Sequence, residues 1–439
     1  MTEDARSFDA EALRRHALHR GKLQVLPRCP VERLEDYAVW YTPGVAAPCR
    51  AIVADPAAAY AYTGKGNSIA IVTDGTRVLG LGDIGPLAGL PVMEGKALLF
   101  KHLGGVDAVP ICLDTKDADE IVRTVRLLAP AFGAINLEDI AQPKCFRILE
   151  ALRRDCPIPV WHDDQQGTAA VALAGLENAL AVVGKRLDAA RIALVGAGAA
   201  NVATARLLGG AGARPGALVV CDRSGTLHPG RRDLEAQAEA FPEKWRLCRE
   251  TNERRVAGGI AEALAGADAC LAFSSPGPEV LRPDWIRRMA PGAIVFACAN
   301  PVPEIWPDAA RAAGAAIVAT GRSDFPNQVN NALVFPGIFR GVLEVAARSI
   351  SDGMAIAAAR ALAAAARPRD AGHILPGLED WTVAAEIAAA TAAAANAEGL
   401  SRRPLAPAAV RERALALIGT ARRAAATLLR EGLLGPAPA

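Results

Sequence analysis

Aromatic residues are scarce in this chain of 439 residues, at 5% of the total. That leaves too few rings for the base-stacking platforms that grip single-stranded nucleic acid. An excess of one charge is also missing, since 49 Lys and Arg nearly balance 47 Asp and Glu. A phosphate-binding surface usually shows as a basic excess, so nucleic acid is not expected as a partner. No strongly apolar run of membrane-spanning length escapes a charge, Gly or Pro, and no membrane association is expected. The opening stretch MTEDARSFDAEALRRHALHRGK is charged and lacks the apolar segment of a secretory signal. Nine cysteines are scattered along the chain, none of them in CxxC spacing. This argues against a disulfide framework or a thiolate zinc site and points to a reducing cytoplasm. What is present is globular in composition, 51% hydrophobic and 22% charged, with length enough for two or three domains.

Short apolar runs at 69–73, 108–113, 134–137 and 159–161 alternate with helical segments around 94–103, 117–130 and 143–154. Strand alternating with helix predicts a parallel sheet with crossover helices. Each run ends in acid: Asp74, Asp114, Glu138-Asp139 and Asp163-Asp164. Ligands of open parallel sheets bind beyond the carboxyl ends of the strands, so four strands are expected to bring carboxylates to one rim. After a helix over 167–183, a second series of runs lies at 191–195, 217–221, 269–273, 293–297 and 316–319. Segments 352–366, 383–398 and 407–431 read as helices, and 435–439 as a frayed tail. An amphipathic helix over 9–20 carries Leu13, Ala17 and Leu18 on one side. The expected architecture is α/β with two domains. A parallel-sheet unit over 1–159 precedes a Rossmann-like dinucleotide-binding unit over 160–399, and a helical extension covers 400–439.

Residues 191–201, RIALVGAGAAN, run from a strand into Gly196 and Gly198 and then a helix opened by Ala199 and Ala200. Glycines there permit a tight turn and close approach of backbone to a pyrophosphate at a helix N-terminus. Asp222 ends the next strand, at the spacing of a ribose-binding acid, while its neighbour Arg223 could meet a 2′-phosphate. NAD and NADP therefore both stand as candidates. The third glycine position is Asn201, which is expected to weaken the fingerprint and loosen helix–strand packing. Glu138-Asp139 and Asp163-Asp164 are adjacent acid pairs, costly to pack unless a cation lies among them. An oxygen-only set suits Mg²⁺ or Mn²⁺, although solvated loop ends would look the same. Lys96 reads as a phosphate binder, a general base or a surface lysine. Tyr41 is structural unless something activates it. Arg77, on a glycine-rich turn, is placed to hold a carboxylate. Asn300 and Asn331 lie at strand or loop ends, where turn capping is the plainer role.

The strings YTPGVAAPC, VTDGTRVLGLGDIGPLAGLPVMEGKALLFK, INLEDIAQPKCF, HDDQQGTA, GAGAAN, ANPVPE, ATGRSDFPNQVNN and FPGIFRG follow the order seen in malic enzymes of the short bacterial type. The resemblance covers roughly residues 16–345 and implies oxidative decarboxylation of L-malate to pyruvate and CO2 with NAD or NADP and a divalent metal. It implies Tyr41 as general acid, Lys96 as general base and Asp163 as the acid that supports the lysine. Glu138, Asp139 and Asp164 match metal ligands; Arg77, Asn300 and Asn331 match residues that hold malate, and a homodimer or higher homo-oligomer is implied. Gln166 departs from the His that many short bacterial members carry. A malolactic enzyme releasing lactate, a metal-independent hydroxy-acid dehydrogenase and a non-enzymatic nucleotide sensor are the alternatives.

Overall fold

A computed structural model describes residues 3–434; the tail expected over 435–439 lies outside the described residues. The first apolar runs form strands β1 (Ser68–Thr73), β2 (Asp107–Cys112), β3 (Ala134–Leu137) and β4 (Val160–His162), parallel throughout, in the order β2-β1-β3-β4. Burial on both faces explains their unbroken apolar character: Ile69 to Val72 are fully buried. The crossover helix Ala118–Leu128 begins where Asp117 accepts hydrogen bonds from the amides of Asp119 and Glu120, and it buries Ile121, Val122 and Val125. Pairing of β4 with β3 carries the first sheet through His162.

The second series forms β5 (Ile192–Val195), β6 (Leu218–Asp222), a short β7 (Gly225–Thr226), β8 (Ala269–Ala272), β9 (Ile294–Ala297) and β10 (Ile317–Thr320). Their order is β10-β9-β8-β5-β6-β7, parallel except for β7. The chain reverses its direction of winding at β5, which lies between β6 and β8. In the first sheet the same reversal occurs at β1, between β2 and β3. Each sheet thus opens a crevice at the carboxyl ends of these strands, and the residues leaving β1, β3, β5 and β8 are the ones that can meet across the domains.

Behind the crevices, helices near the C-terminus fold back onto the first domain. Phe335–Glu344 packs on Gly85–Gly104 through Phe100, whose ring lies 4.5 Å from Phe335 and 5.0 Å from Phe339. The backbones come close: a Cβ on Gly104 would sit 2.9 Å from the Pro336 carbonyl oxygen. The helix Pro407–Arg430 crosses at Gly105, where a Cβ would sit 3.1 Å from the backbone of Leu417 and Ile418. One apolar cluster therefore runs from Ile69 and Phe100 through Trp161 to Leu194 and Phe335. The N-terminal helix extends over Glu3–His19, but Leu13 and Leu18 remain exposed. Leu13 and Leu18 are thus left uncovered by the other described residues of the protomer. Among the described residues no helix is long and apolar enough to cross a membrane, and all nine cysteines are free thiols.

Arg340 sits at the centre of the returning helices, 2% exposed, donating to Asn67 Oδ1 at 2.6 Å and pairing with Glu344 at 2.9 Å. Glu344 also takes Arg413 at 2.5 Å. Breaking a buried pair by removing one partner costs about 3–5 kcal/mol. Arg340→Met should lower the unfolding free energy by an amount of that order, read as an earlier chemical denaturation midpoint at unchanged slope, and an unchanged midpoint would show the pair to be neutral.

Candidate active site

The residues leaving the two crevices line one cavity of about 800 Å³ between the domains. From the first domain come Arg77, Lys96, Glu138, Asp139 and Asp164; from the second come Gly198, Ala199, Ala200, Ser274, Asn300 and Asn331. Of the four strands expected to bring acid to the rim, only β3 and β4 do so. Asp74, after β1, is consumed by Lys144 at 2.5 Å and by the Thr76 hydroxyl at 2.6 Å. Asp114 follows the edge strand β2 and faces solvent.

Lys96 lies on the helix Gly85–Gly104 and is buried at the cavity wall. Its Nζ donates to Glu138 at 2.9 Å and to Asp163, and rests 4.2 Å from the centre of the Phe335 ring. Burial pushes the amine toward neutrality, but the carboxylates of Asp163 and Glu138 outweigh it and raise its pKa above the ordinary lysine value. The neutral lysine that a general base requires is therefore not the form this charge arrangement favours. Asp163 is fully buried and also accepts the Trp161 indole N–H at 3.0 Å. It touches the lysine from behind and does not itself line the cavity.

The acids carry more negative charge than one ammonium offsets. Burial raises Glu138 well above the usual carboxylate range against the pull of Lys96. Burial and the neighbouring Asp164 push Asp139 up to about 8. Asp139 Oδ2 is buried with no hydrogen-bond partner, while its backbone N–H donates to Asp164 Oδ2 at 2.8 Å. Such a set of hard oxygen donors with an unspent buried carboxylate oxygen is of the kind that Mg²⁺ or Mn²⁺ takes. The three acids are not drawn together around a point: among the described residues no group of three or more His, Cys, Asp or Glu is arranged to hold an ion. The donors fit a cation in kind, and their closure around it would need small movements.

On the facing wall, Gly196 leaves β5 with φ +99, and a Cβ there would lie 2.6 Å from the Phe273 carbonyl oxygen. At Gly198 nothing comes nearer a Cβ than Gln142, at 4.0 Å, so a side chain would fill the open space above the helix Ala199–Ala211. Asn201 corrects the expectation of looser packing. It is fully buried, and its amide donates to the Val195 and Gly196 carbonyls at 2.9 Å each. The turn is held by a side chain where a third glycine would have allowed close packing alone. Asp222 and Arg223 do not line the cavity. Asp222 is gripped by Arg231 through both guanidinium nitrogens, at 3.0 and 3.2 Å, with Lys244 at 4.0 Å.

Two placements differ from what the sequence suggests. Tyr41 is 71% exposed and does not line the cavity of its own protomer. Glu304, not singled out from the sequence, is fully buried. It accepts the Ser274 amide and hydroxyl at 2.8 and 3.0 Å and the Ala299 amide at 2.9 Å. It thereby ties the loops after β8 and β9 together at the cavity edge. The signal available in the sequence is an acid closing the otherwise uncharged ANPVPE.

A glycine turn at a doubly wound sheet, facing a lysine and acids across a cleft, defines a dinucleotide-dependent enzyme with a separate substrate domain. Family models agree: residues 20–153 match the malic enzyme N-terminal domain and residues 165–396 the malic enzyme NAD binding domain. The bifunctional malic/malolactic enzyme of Bacillus subtilis is 46% identical over 421 residues, spanning 94% of this chain and 100% of its own length. The NADP-dependent malic enzyme of Halomonas elongata is 45% identical over 401 residues, 88% of this chain and 92% of its own. Among solved structures, the Entamoeba histolytica malic enzyme superposes with a TM-score of 0.95 at 44% identity, over 100% of this chain and 93% of that one. This chain belongs to the malic enzyme family.

Glu304→Ala would leave two amides and a hydroxyl unpaired. Each unpaired group costs about 1–3 kcal/mol; one such cost passed in full to dinucleotide binding, at 1.4 kcal/mol per decade, corresponds to a rise in KM of about 5- to 150-fold. Steady-state kinetics should show that rise with a smaller change in kcat and partial recovery in Glu304→Gln; an unchanged KM would remove Glu304 from the positioning of the site.

Proposed function

We propose that the chain catalyses the oxidative decarboxylation of L-malate to pyruvate and CO2 with reduction of NAD or NADP. The observation that carries this reading is Lys96, buried between Asp163 and Glu138 on a cleft whose other wall is the glycine turn. Mg²⁺ or Mn²⁺ would be held by Glu138, Asp139 and Asp164. When bound, the ion supplies Lewis-acid polarisation of a substrate oxygen and the dinucleotide supplies the hydride acceptor. Arg77 clamps one malate carboxylate, and Asn300 and Asn331 orient the rest of the molecule. A cation held by Glu138, Asp139 and Asp164 would offset the carboxylates that favour the ammonium; Lys96, neutral under that condition, takes the proton of the C2 hydroxyl, and Asp163 behind it steadies the charge it gains. Gly198, Ala199 and Ala200 present the helix end to the pyrophosphate.

Tyr41 fits the general-acid role only if a second copy of the chain delivers it. It sits on a strongly apolar exposed stretch with Val25 at 98%, Leu34 at 80%, Val39 at 65% and Trp40 at 50% exposure. A patch of that kind marks a protein–protein contact, in keeping with the homodimer expected from the sequence. In a symmetric dimer each cavity would then combine one protomer's Lys96 with the other's Tyr41.

Parallel assays of L-malate with NAD and NADP test the reaction. Pyruvate and reduced dinucleotide in equal amounts, supported by Mn²⁺ and abolished by EDTA, are expected. Lactate without net reduced dinucleotide would instead favour the malolactic activity named for the Bacillus subtilis relative, and turnover insensitive to EDTA would remove the ion. Lys96→Ala should lower kcat by about 10²–10⁴-fold, the usual contribution of a positioned acid or base. Tyr41→Phe should be as severe. Subunits of the two variants re-equilibrated together should regain about one quarter of wild-type activity, because one site in each mixed dimer is intact. No recovery would place both groups in the same chain.

The ion pair at Asp222 bears on cofactor choice. A free carboxylate there would repel a 2′-phosphate, but Arg231, shared with Asp233 at 2.7 Å, pairs with it, and Lys244 at 4.0 Å brings the positive charges to two against these two acids. We expect NADP to be accepted alongside NAD. Arg231→Ala should raise KM for NADP at least tenfold more than KM for NAD, since exposing the acid penalises only the phosphorylated ribose; equal changes would show that the pair is structural.

A further inference from the structure

A second cavity, of about 280 Å³, lies behind the acid-bearing turn on the far side from the active site. It forms where the first-domain helix Lys144–Asp155 meets the helices Ala199–Ala211 and Pro242–Glu250 of the second domain and the start of Asp352–Ala365. Gln165 and Gln166 line it, whereas Asp164, in the same turn, lines the active-site cavity. The volume is at the lower end of ligand pockets and suits a small molecule.

Its charges are balanced and unevenly spent. Three arginines and three acids line it, so it offers no net field to a polyanion. Arg206 gives its Nε to Asp352 at 2.5 Å, leaving its terminal nitrogens available. Arg246 reaches Glu243 at 2.8 Å, while its Nε is buried and donates to nothing. The Gln166 carbonyl accepts the His162 amide at 3.0 Å, but its Nε2 is likewise buried without a partner. Buried donors left unpaired are costly and call for an acceptor. On the opposing helix, Glu150 is exposed at the cavity mouth, with no hydrogen-bond or ion-pair partner among the described residues. Between the two lie apolar side chains, including Leu149 and Val202.

We propose that this cavity binds a small zwitterion, an α-amino acid with an aliphatic side chain. The carboxylate meets Arg206 and Arg246, the ammonium meets Glu150, and the side chain rests on the apolar floor. Both charges of such a ligand are used while the cavity stays neutral. A simple carboxylate would satisfy the arginines but leave Glu150 without compensation. This inference does not depend on the reaction at the neighbouring site.

The test uses the full chain and L-valine, with two probes that each lack one charge: 3-methylbutanoate, without the ammonium, and isobutylamine, without the carboxylate. Titration calorimetry should show saturable binding of L-valine below about 10 mM, and at least tenfold weaker binding of either truncated probe. Arg206→Ala and Glu150→Ala, both at exposed positions, should each abolish L-valine binding and leave malate turnover in its absence unchanged. No binding of L-valine would overturn the proposal. So would equal binding of 3-methylbutanoate, which marks a plain anion site, or L-valine binding that survives both substitutions.

Discussion

The structure is organised around a deficit of positive charge. Glu138, Asp139, Asp163 and Asp164 gather at the ends of two adjacent strands, and a single amine, Lys96, faces them. Carboxylates taken out of water this close together are tolerated only with compensation. The helix Gly85–Gly104 has to bring Lys96 to that point, and the Phe100 packing with Phe335 and Phe339 keeps it there. The returning C-terminal helices are thus support for an electrostatic arrangement as much as they are a hydrophobic layer.

Much of this was open to reading from the chain alone. Buried parallel strands are continuous apolar runs, and β1 to β6 and β8 to β10 lie within a residue or so of where those runs predict. The acids after β3 and the glycines after β5 stand beside the points where sheet winding reverses, so their convergence follows from topology, while Asp164 reaches the same cleft from the edge strand β4. What could not be read were features set by partners distant in sequence. Asp74 looks like any other strand-end acid until Lys144 is seen beside it. Asp222 looks free for a ribose until Arg231 closes on it. Asn201 reads as a defect in a glycine pattern, whereas its amide replaces the lost fit with two hydrogen bonds.

Exposure separates two kinds of site residue. Lys96, Glu138 and Asp163 are buried and owe their geometry to one folded protomer. Tyr41 and the apolar stretch around it are exposed, so any part they take in the proposed reaction would require something outside the protomer. Sequence motifs report both kinds with equal force, because a motif records which residues the chemistry uses and not which surface they lie on. The same limit applies to Gln166, a mere departure from a pattern in the sequence but, in three dimensions, part of the wall of the second cavity, with its carbonyl tied to the His162 amide.

Asp163 and Asp164 lie in the tight turn Asp163–Gly167, directly between the last strand of the first sheet and the long buried helix Thr168–Val182 that leads to the second. The connection between the two sheets and these acids are therefore one piece of chain. Any displacement of one lobe against the other would bear directly on the ammonium–carboxylate contact between Lys96 and Asp163, so widening the cleft and loosening that contact would be a single motion.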